Sequence, residues 1–169
     1  MDGVSKEIHE PAQADDRVAE NLRGIRSGSV RLARIQRAIE RRAWVTTILV
    51  IALGAAVGAN LRYGLSIWAA RQWGATFPYG TLLINVLGSF AIGVVMVLLT
   101  TRLTVSDIWR LLIVTGLLGG FTTFSTFSYE TYGLLVSGSW LEAGLNIVGS
   151  VGLAMIGVFL GAGLARLLP

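Results

Sequence analysis

The chain has no cysteine, one histidine (His9) and one lysine (Lys6). Without cysteine there are no disulfides and no thiolate chemistry. A single imidazole, placed in a polar N-terminal stretch, excludes a metal site built from His and Cys ligands. Charge is scarce as well: 14% of residues are charged, where a soluble domain carries about a quarter. Most of that charge lies at the front. Residues 1–42 hold nine Lys/Arg and seven Asp/Glu, while residues 43–169 hold only Arg62, Arg71, Arg102, Arg110, Arg166, Asp107, Glu130 and Glu142. Eight charges in 127 residues cannot solvate a globule of that size, so residues 44–169 read as an integral membrane domain and residues 1–43 as a polar, Arg-rich tail. The first 42 residues have no apolar h-region, so they do not read as a signal peptide. In a membrane protein, basic charge is a topology and headgroup signal before it is a nucleic-acid footprint, and no nucleic-acid partner is expected.

Over half of the residues are hydrophobic, and they fall into four long apolar runs. A helix needs about 20 residues to cross the hydrocarbon core. The runs are Trp44–Leu65, Thr81–Thr101, Ile108–Ser137 and Leu141–Leu168, and the longest connection is expected over residues 66–80. None alternates as a membrane β-strand would, so the domain is expected to be all-α. The tryptophans of the 66–80 connection and Tyr79 suit the membrane interface. Gly54/Gly58 and Gly157/Gly161 form GxxxG pairs, which permit close helix packing within a bundle or across a dimer interface. In the tail, residues 1–16 read as disordered. From Val18 to Ile39 apolar residues recur at roughly helical spacing among arginines, as in an amphipathic helix on an anionic membrane face or a partly helical, solvated tail.

Polar groups at membrane depth are costly and need partners or water. Asn85 lies about one turn inside the second run, where an amide either bonds a neighbouring helix or faces a polar path. Arg62 closes the first run, and Asn146 and Ser150 share a face of the fourth. The densest polar patch is "GGFTTFSTFSYE", residues 119–130. Gly116, Gly119 and Gly120 weaken a helix there, and Thr122-Thr123 offers a fresh N-cap. One alternative is a helix broken mid-membrane, whose freed backbone lines a polar path or holds an ion. Phe124 and Phe127 would then share one face and turn positive ring edges to an anion. The other is a kinked helix whose hydroxyls bond back to their own carbonyls.

The runs "GLLGGFTTFSTFSYE" (116–130), "PYGTLLINVLGSFAIG" (78–93) and "GAAVGANLRY" (54–63) resemble the Fluc/CrcB family of fluoride channels. The resemblance covers residues 44–168. It implies a subunit of four transmembrane helices with the third broken mid-membrane, paired as an antiparallel dimer with two fluoride pores. It implies passive export of fluoride across the plasma (inner) membrane. It implies a structural sodium ion at the dimer centre, held by backbone carbonyls at Gly119 and Thr122. The fluoride pathway is assigned to Asn85, Phe124, Phe127, Thr81 and Ser150, and less firmly to Asn146. Arg62 matches a vestibule charge and Glu130 the acid after the TTFSTFS run. Phe121 falls inside the break and is expected to pack and not to line the pore.

The 43-residue tail is a departure from the family, whose members begin almost at the first helix. Arg31, Arg34, Arg37, Arg41 and Arg42 would lie on the same side as Arg102, Arg110 and Arg166 after an even number of crossings. The positive-inside rule then puts the termini in the cytoplasm. Such a bias suggests one fixed orientation and a heterodimer with an oppositely oriented paralogue; a homodimer remains the family default. Residues 44–61 contain no acid, which argues against a proton-coupled four-helix exporter. An adaptor that uses the tail for lipid or partner binding has no need of the threonine-rich patch. No cluster combines a nucleophile with a base, so no enzyme is expected.

Overall fold

The structure, a computed structural model, describes residues 11–102 and 106–168. It divides into two compact units with the boundary between Val45 and Thr46. In the first, the described backbone is helical from Pro11 onward, so the expected disorder at 1–16 is replaced by helix where it falls on described residues; residues 1–10 lie outside them. Arg31, Arg34 and Arg41 are exposed.

The second unit holds the apolar runs. Helix α1 (Pro11–Trp73) is followed by α2 (Tyr79–Val97), which continues into wider π-type turns at Leu98–Arg102. A short α3 (Asp107–Arg110), π-type turns over Leu111–Leu118, α4 (Gly119–Phe121) and α5 (Phe124–Val136) make up the third stretch, and α6 (Trp140–Leu167) the fourth. Four helical stretches are long and apolar enough to cross a membrane: Ile39–Trp73, Tyr79–Thr101, Asp107–Val136 and Trp140–Leu167. No strand occurs among the described residues.

The first helix outruns its expected end at Leu65 because residues 66–73 contain neither glycine nor proline. It stops at Gly74, whose φ of +80° is one that L side chains rarely adopt. The expected 66–80 connection therefore shrinks to the few residues before Tyr79. The α5–α6 turn uses Gly138 (φ +81°) in the same way. Gly138 N–H donates to the Leu135 carbonyl and Ser139 N–H to that of Leu134, the paired bonds of a Schellman cap.

Glycine sets the helix spacing. A Cβ on Gly54 would lie 2.9 Å from Gly116 Cα, and one on Gly58 would run into the carbonyl oxygen of Leu117. Across the unit, Gly93 abuts the Val158 carbonyl and Gly161 that of Phe90, while a Cβ on Gly157 would lie 3.1 Å from Val86 O. Both GxxxG pairs are thus used within the chain, α1 against the third stretch and α2 against α6. Ile84, Ala143 and Ala165 are completely buried in this packing. The outward surface is apolar: Trp44, Ile48, Leu145, Val148 and Phe159 are all more than half exposed. Water does not tolerate a patch of that extent, and a bilayer does. At one end, Trp68 and Trp73 pack edge to face at 5.2 Å, and Trp73 and Tyr79 at 5.8 Å, as interface aromatics do.

Gly58→Ala forces a helix axis to move and is expected to cost about 1–3 kcal/mol. Gly64→Ala, whose new methyl meets nothing within 4 Å, is expected to stay within about 0.5 kcal/mol. Thermal unfolding of the two variants in detergent measures the difference.

Candidate functional site

Helix α2 carries Thr81 and Asn85 one turn apart, and α5 contacts it. Just before α5 two residues leave helical geometry: Thr122 (φ −77°, ψ 157°) and Thr123 (φ −153°, ψ 116°). Both are extended and unstrained. Thr123 is the N-cap of α5: its Oγ1 accepts the Thr126 N–H at 3.2 Å and donates to Thr126 Oγ1 at 2.9 Å. Its own N–H has left the helical ladder, and the Asn85 side chain meets it. Thr123 N–H donates to Asn85 Oδ1 at 2.9 Å, and Asn85 Nδ2 donates to the Thr123 carbonyl at 3.0 Å. One amide thus holds both polar groups of one peptide residue.

Two carbonyls lose their usual donors as a result. In a continuous helix the Gly119 carbonyl would accept from Thr123 N–H, and that of Thr122 from Thr126 N–H. Those N–H groups now serve Asn85 and the Thr123 hydroxyl. Gly119 and Thr122 are the two residues expected to hold a sodium ion. Each offers a neutral, hard carbonyl oxygen, the kind of donor that suits a hard cation.

The hydroxyls divide into two groups. Those of Thr122, Ser128 and Thr131 donate back to the carbonyls of Leu118, Phe124 and Phe127, at 3.1, 2.9 and 2.7 Å. Each spends its one hydrogen there. Thr123 caps the helix and does not bond back. A further polar chain runs through the buried joint between α5 and α6. Ser150 Oγ donates to Asn146 Oδ1 at 3.2 Å, and Asn146 Nδ2 donates to Thr131 Oγ1 at 2.8 Å. Asn146 is fully buried.

The structure gathers most of the sequence-predicted residues around two clefts. Asn85, Gly119, Thr122, Phe124, Phe127 and Ser150 line a cleft of about 450 Å³, and none of its lining residues carries a formal charge. The Phe124 and Phe127 rings lie 5.4 Å apart at 47°; Phe127 is buried, whereas Phe124 is 75% exposed. Thr81 and Glu130 line a second cleft of about 470 Å³. There Thr81 Oγ1 donates to Glu130 Oε1 at 2.9 Å, and Glu130 Oε2 is buried with no hydrogen-bond partner. Arg62 is half-buried and lines neither cleft. Phe121 is outside the first cleft; a Cβ on Gly88 would come within 3.4 Å of its ring. Sequence reasoning missed Thr131, although Phe124, Phe127 and Thr131 have the i, i+3, i+7 spacing of one helix face.

Comparison with known proteins decides the family. The sequence model described as CrcB-like protein, Camphor Resistance (CrcB), matches residues 49–162. The chain belongs to the CrcB family. Relatives named "Fluoride-specific ion channel FluC" are similar to it over most of their own length. That of Roseiflexus sp. is 70% identical over 122 residues, covering 72% of this chain and 98% of the relative. That of Chloroflexus aurantiacus is 57% identical over 122 residues, covering 72% and 97%. That of Paramagnetospirillum magneticum is 49% identical over 117 residues, covering 68% and 91%. These relatives are named as ion channels and not as enzymes. With four apolar helical stretches, this CrcB family member is a multi-pass membrane protein.

Asn85→Ala removes the partner of the Thr123 N–H. An unsatisfied buried donor costs about 1–3 kcal/mol, so the variant is expected to unfold at lower temperature. It is also expected to exchange the Thr123 amide hydrogen faster, read by hydrogen–deuterium exchange with fragment mass spectrometry.

Proposed function

We propose that the chain is a subunit of a fluoride-selective channel that exports cytoplasmic fluoride passively. The observation that carries this reading is the uncharged cleft in which Phe124, Phe127, Asn85 and Ser150 converge. Fluoride is small and strongly hydrated. A site that passes it must replace part of its water with close donors and must not hold it with a full positive charge. Aromatic ring edges are weakly positive, and amide and hydroxyl hydrogens are directional donors. The family of the chain and the names of its relatives point the same way.

In this reading the third helix crosses the membrane as two halves, joined through the extended Thr122-Thr123 near mid-membrane. Backbone freed at that depth is tolerated only when buried in protein or lining a polar path. Two subunits pair antiparallel to make two pores. The Gly119 and Thr122 carbonyls would hold a sodium ion at the dimer centre, which would supply the positive charge that neutral oxygens lack. Thr81 can donate to a passing anion only by releasing Glu130, since a hydroxyl has one hydrogen. Arg62, away from both clefts, acts at longer range by raising anion concentration at a pore end.

The arginine bias of the flanks supports cytoplasmic termini, and a passive exporter of cytoplasmic fluoride would sit in the plasma (inner) membrane. The antiparallel partner is a second copy, or a paralogue of opposite orientation, which the one-sided bias favours. Expressing the chain alone separates these: a stable dimer that conducts in liposomes rules out an obligate paralogue, and monomer or aggregate supports one.

Fluoride efflux from proteoliposomes, followed with a fluoride electrode, tests the channel reading; release of fluoride with negligible chloride is expected. Phe127→Ile is expected to lower the flux roughly tenfold, equivalent to ~1.4 kcal/mol at the barrier. Asn85→Asp, which adds negative charge to an anion path, is expected to abolish it. No release from a confirmed dimer overturns the reading.

A further inference from the structure

The channel reading uses the arginines of the first unit only to orient the chain, and they precede the family match at residue 49. Residues 31–42 carry five arginines against Glu40 as the only acid. Their backbone is helical and belongs to α1. At about 100° per residue, Arg31, Arg34 and Arg41 fall within an arc of about 80°. All three are exposed. Glu40 and the exposed Ile39 lie outside that arc. The result is a basic stripe with an apolar residue off its edge, immediately ahead of Trp44 and the first membrane-crossing run.

We propose that residues 31–42 dock on anionic lipid headgroups of the bilayer leaflet that the first helix enters. Charge complementarity selects this occupant. A guanidinium presents paired N–H donors that match two phosphate oxygens at once. Each basic residue near an anionic leaflet adds to the attraction, which falls off within a Debye length. The segment is covalently tied to a membrane span, so headgroups are always within reach at high local concentration. Among possible ligands, anionic lipid is the one that this position guarantees. The interaction would anchor the entry of α1 and hold its orientation.

The absence of cysteine makes the test direct. Ala38→Cys gives a single thiol on the full-length protein, at a position that falls within the arginine arc at about 100° per residue. The thiol is labelled with the environment-sensitive fluorophore NBD, and the protein is placed in nanodiscs of phosphatidylcholine alone or with phosphatidylglycerol added. The expected result is several-fold brighter, blue-shifted emission only with phosphatidylglycerol, quenched by headgroup-region nitroxide lipid and reversed by high salt. Arg31→Glu/Arg34→Glu/Arg41→Glu is expected to lose the response. The salt titration on the unsubstituted stripe stands if that variant folds poorly. Equal emission in both lipid compositions overturns the proposal, whether bright, as from apolar insertion, or dim, as from a solvated helix. A bright signal that follows protein-to-disc ratio instead of lipid charge also overturns it and assigns the surface to a second copy.

Discussion

The membrane domain depends on a side chain that takes the place of backbone. Asn85 bonds both the N–H and the carbonyl of Thr123, as a neighbouring peptide unit would. Without it, the residue that leaves the helical ladder would carry an unpaired donor into an apolar surrounding. The rest follows from that pairing. Thr123 can stand extended and cap α5, and the Gly119 and Thr122 carbonyls lose their donors. Phe124 and Phe127 start a fresh helix facing the same cleft.

Much of this fold was legible in the residues. Four apolar runs gave four helical stretches, because a charge-poor segment of that length has few other stable forms in lipid. The helix ends were less legible. Leu65 looked terminal because Arg62 closes the apolar run, yet helix propensity carried the chain on to Gly74. Residues 11–16, charged and without apolar pattern, were expected to be disordered and are helical.

The site was legible as a set of residues but not as a set of bonds. Thr122, Thr123, Ser128 and Thr131 look alike in sequence, and which one caps and which bonds back depends on the backbone angle at each. Asn85 announced itself as a polar group in an apolar run. Its partner, 38 residues away, is fixed only by the register of α2 against α5, and no local pattern encodes that register. Thr131 was missed because one more hydroxyl in a hydroxyl-rich helix carries no signal until Asn146 is seen beside it.

The helix joints are of two chemical kinds. Where α1 meets the third stretch and where α2 meets α6, glycine brings backbone against backbone. Where α5 meets α2 and α6, the contacts named are an amide, a carboxylate and hydroxyls. At the glycine contacts backbone meets backbone, with no side chain between them that could exchange a partner. The α5 joints rest on side-chain hydrogen bonds, which can. A change of hydrogen-bond partner is therefore open along α5, which together with α2 lines both clefts, and closed to the glycine contacts themselves.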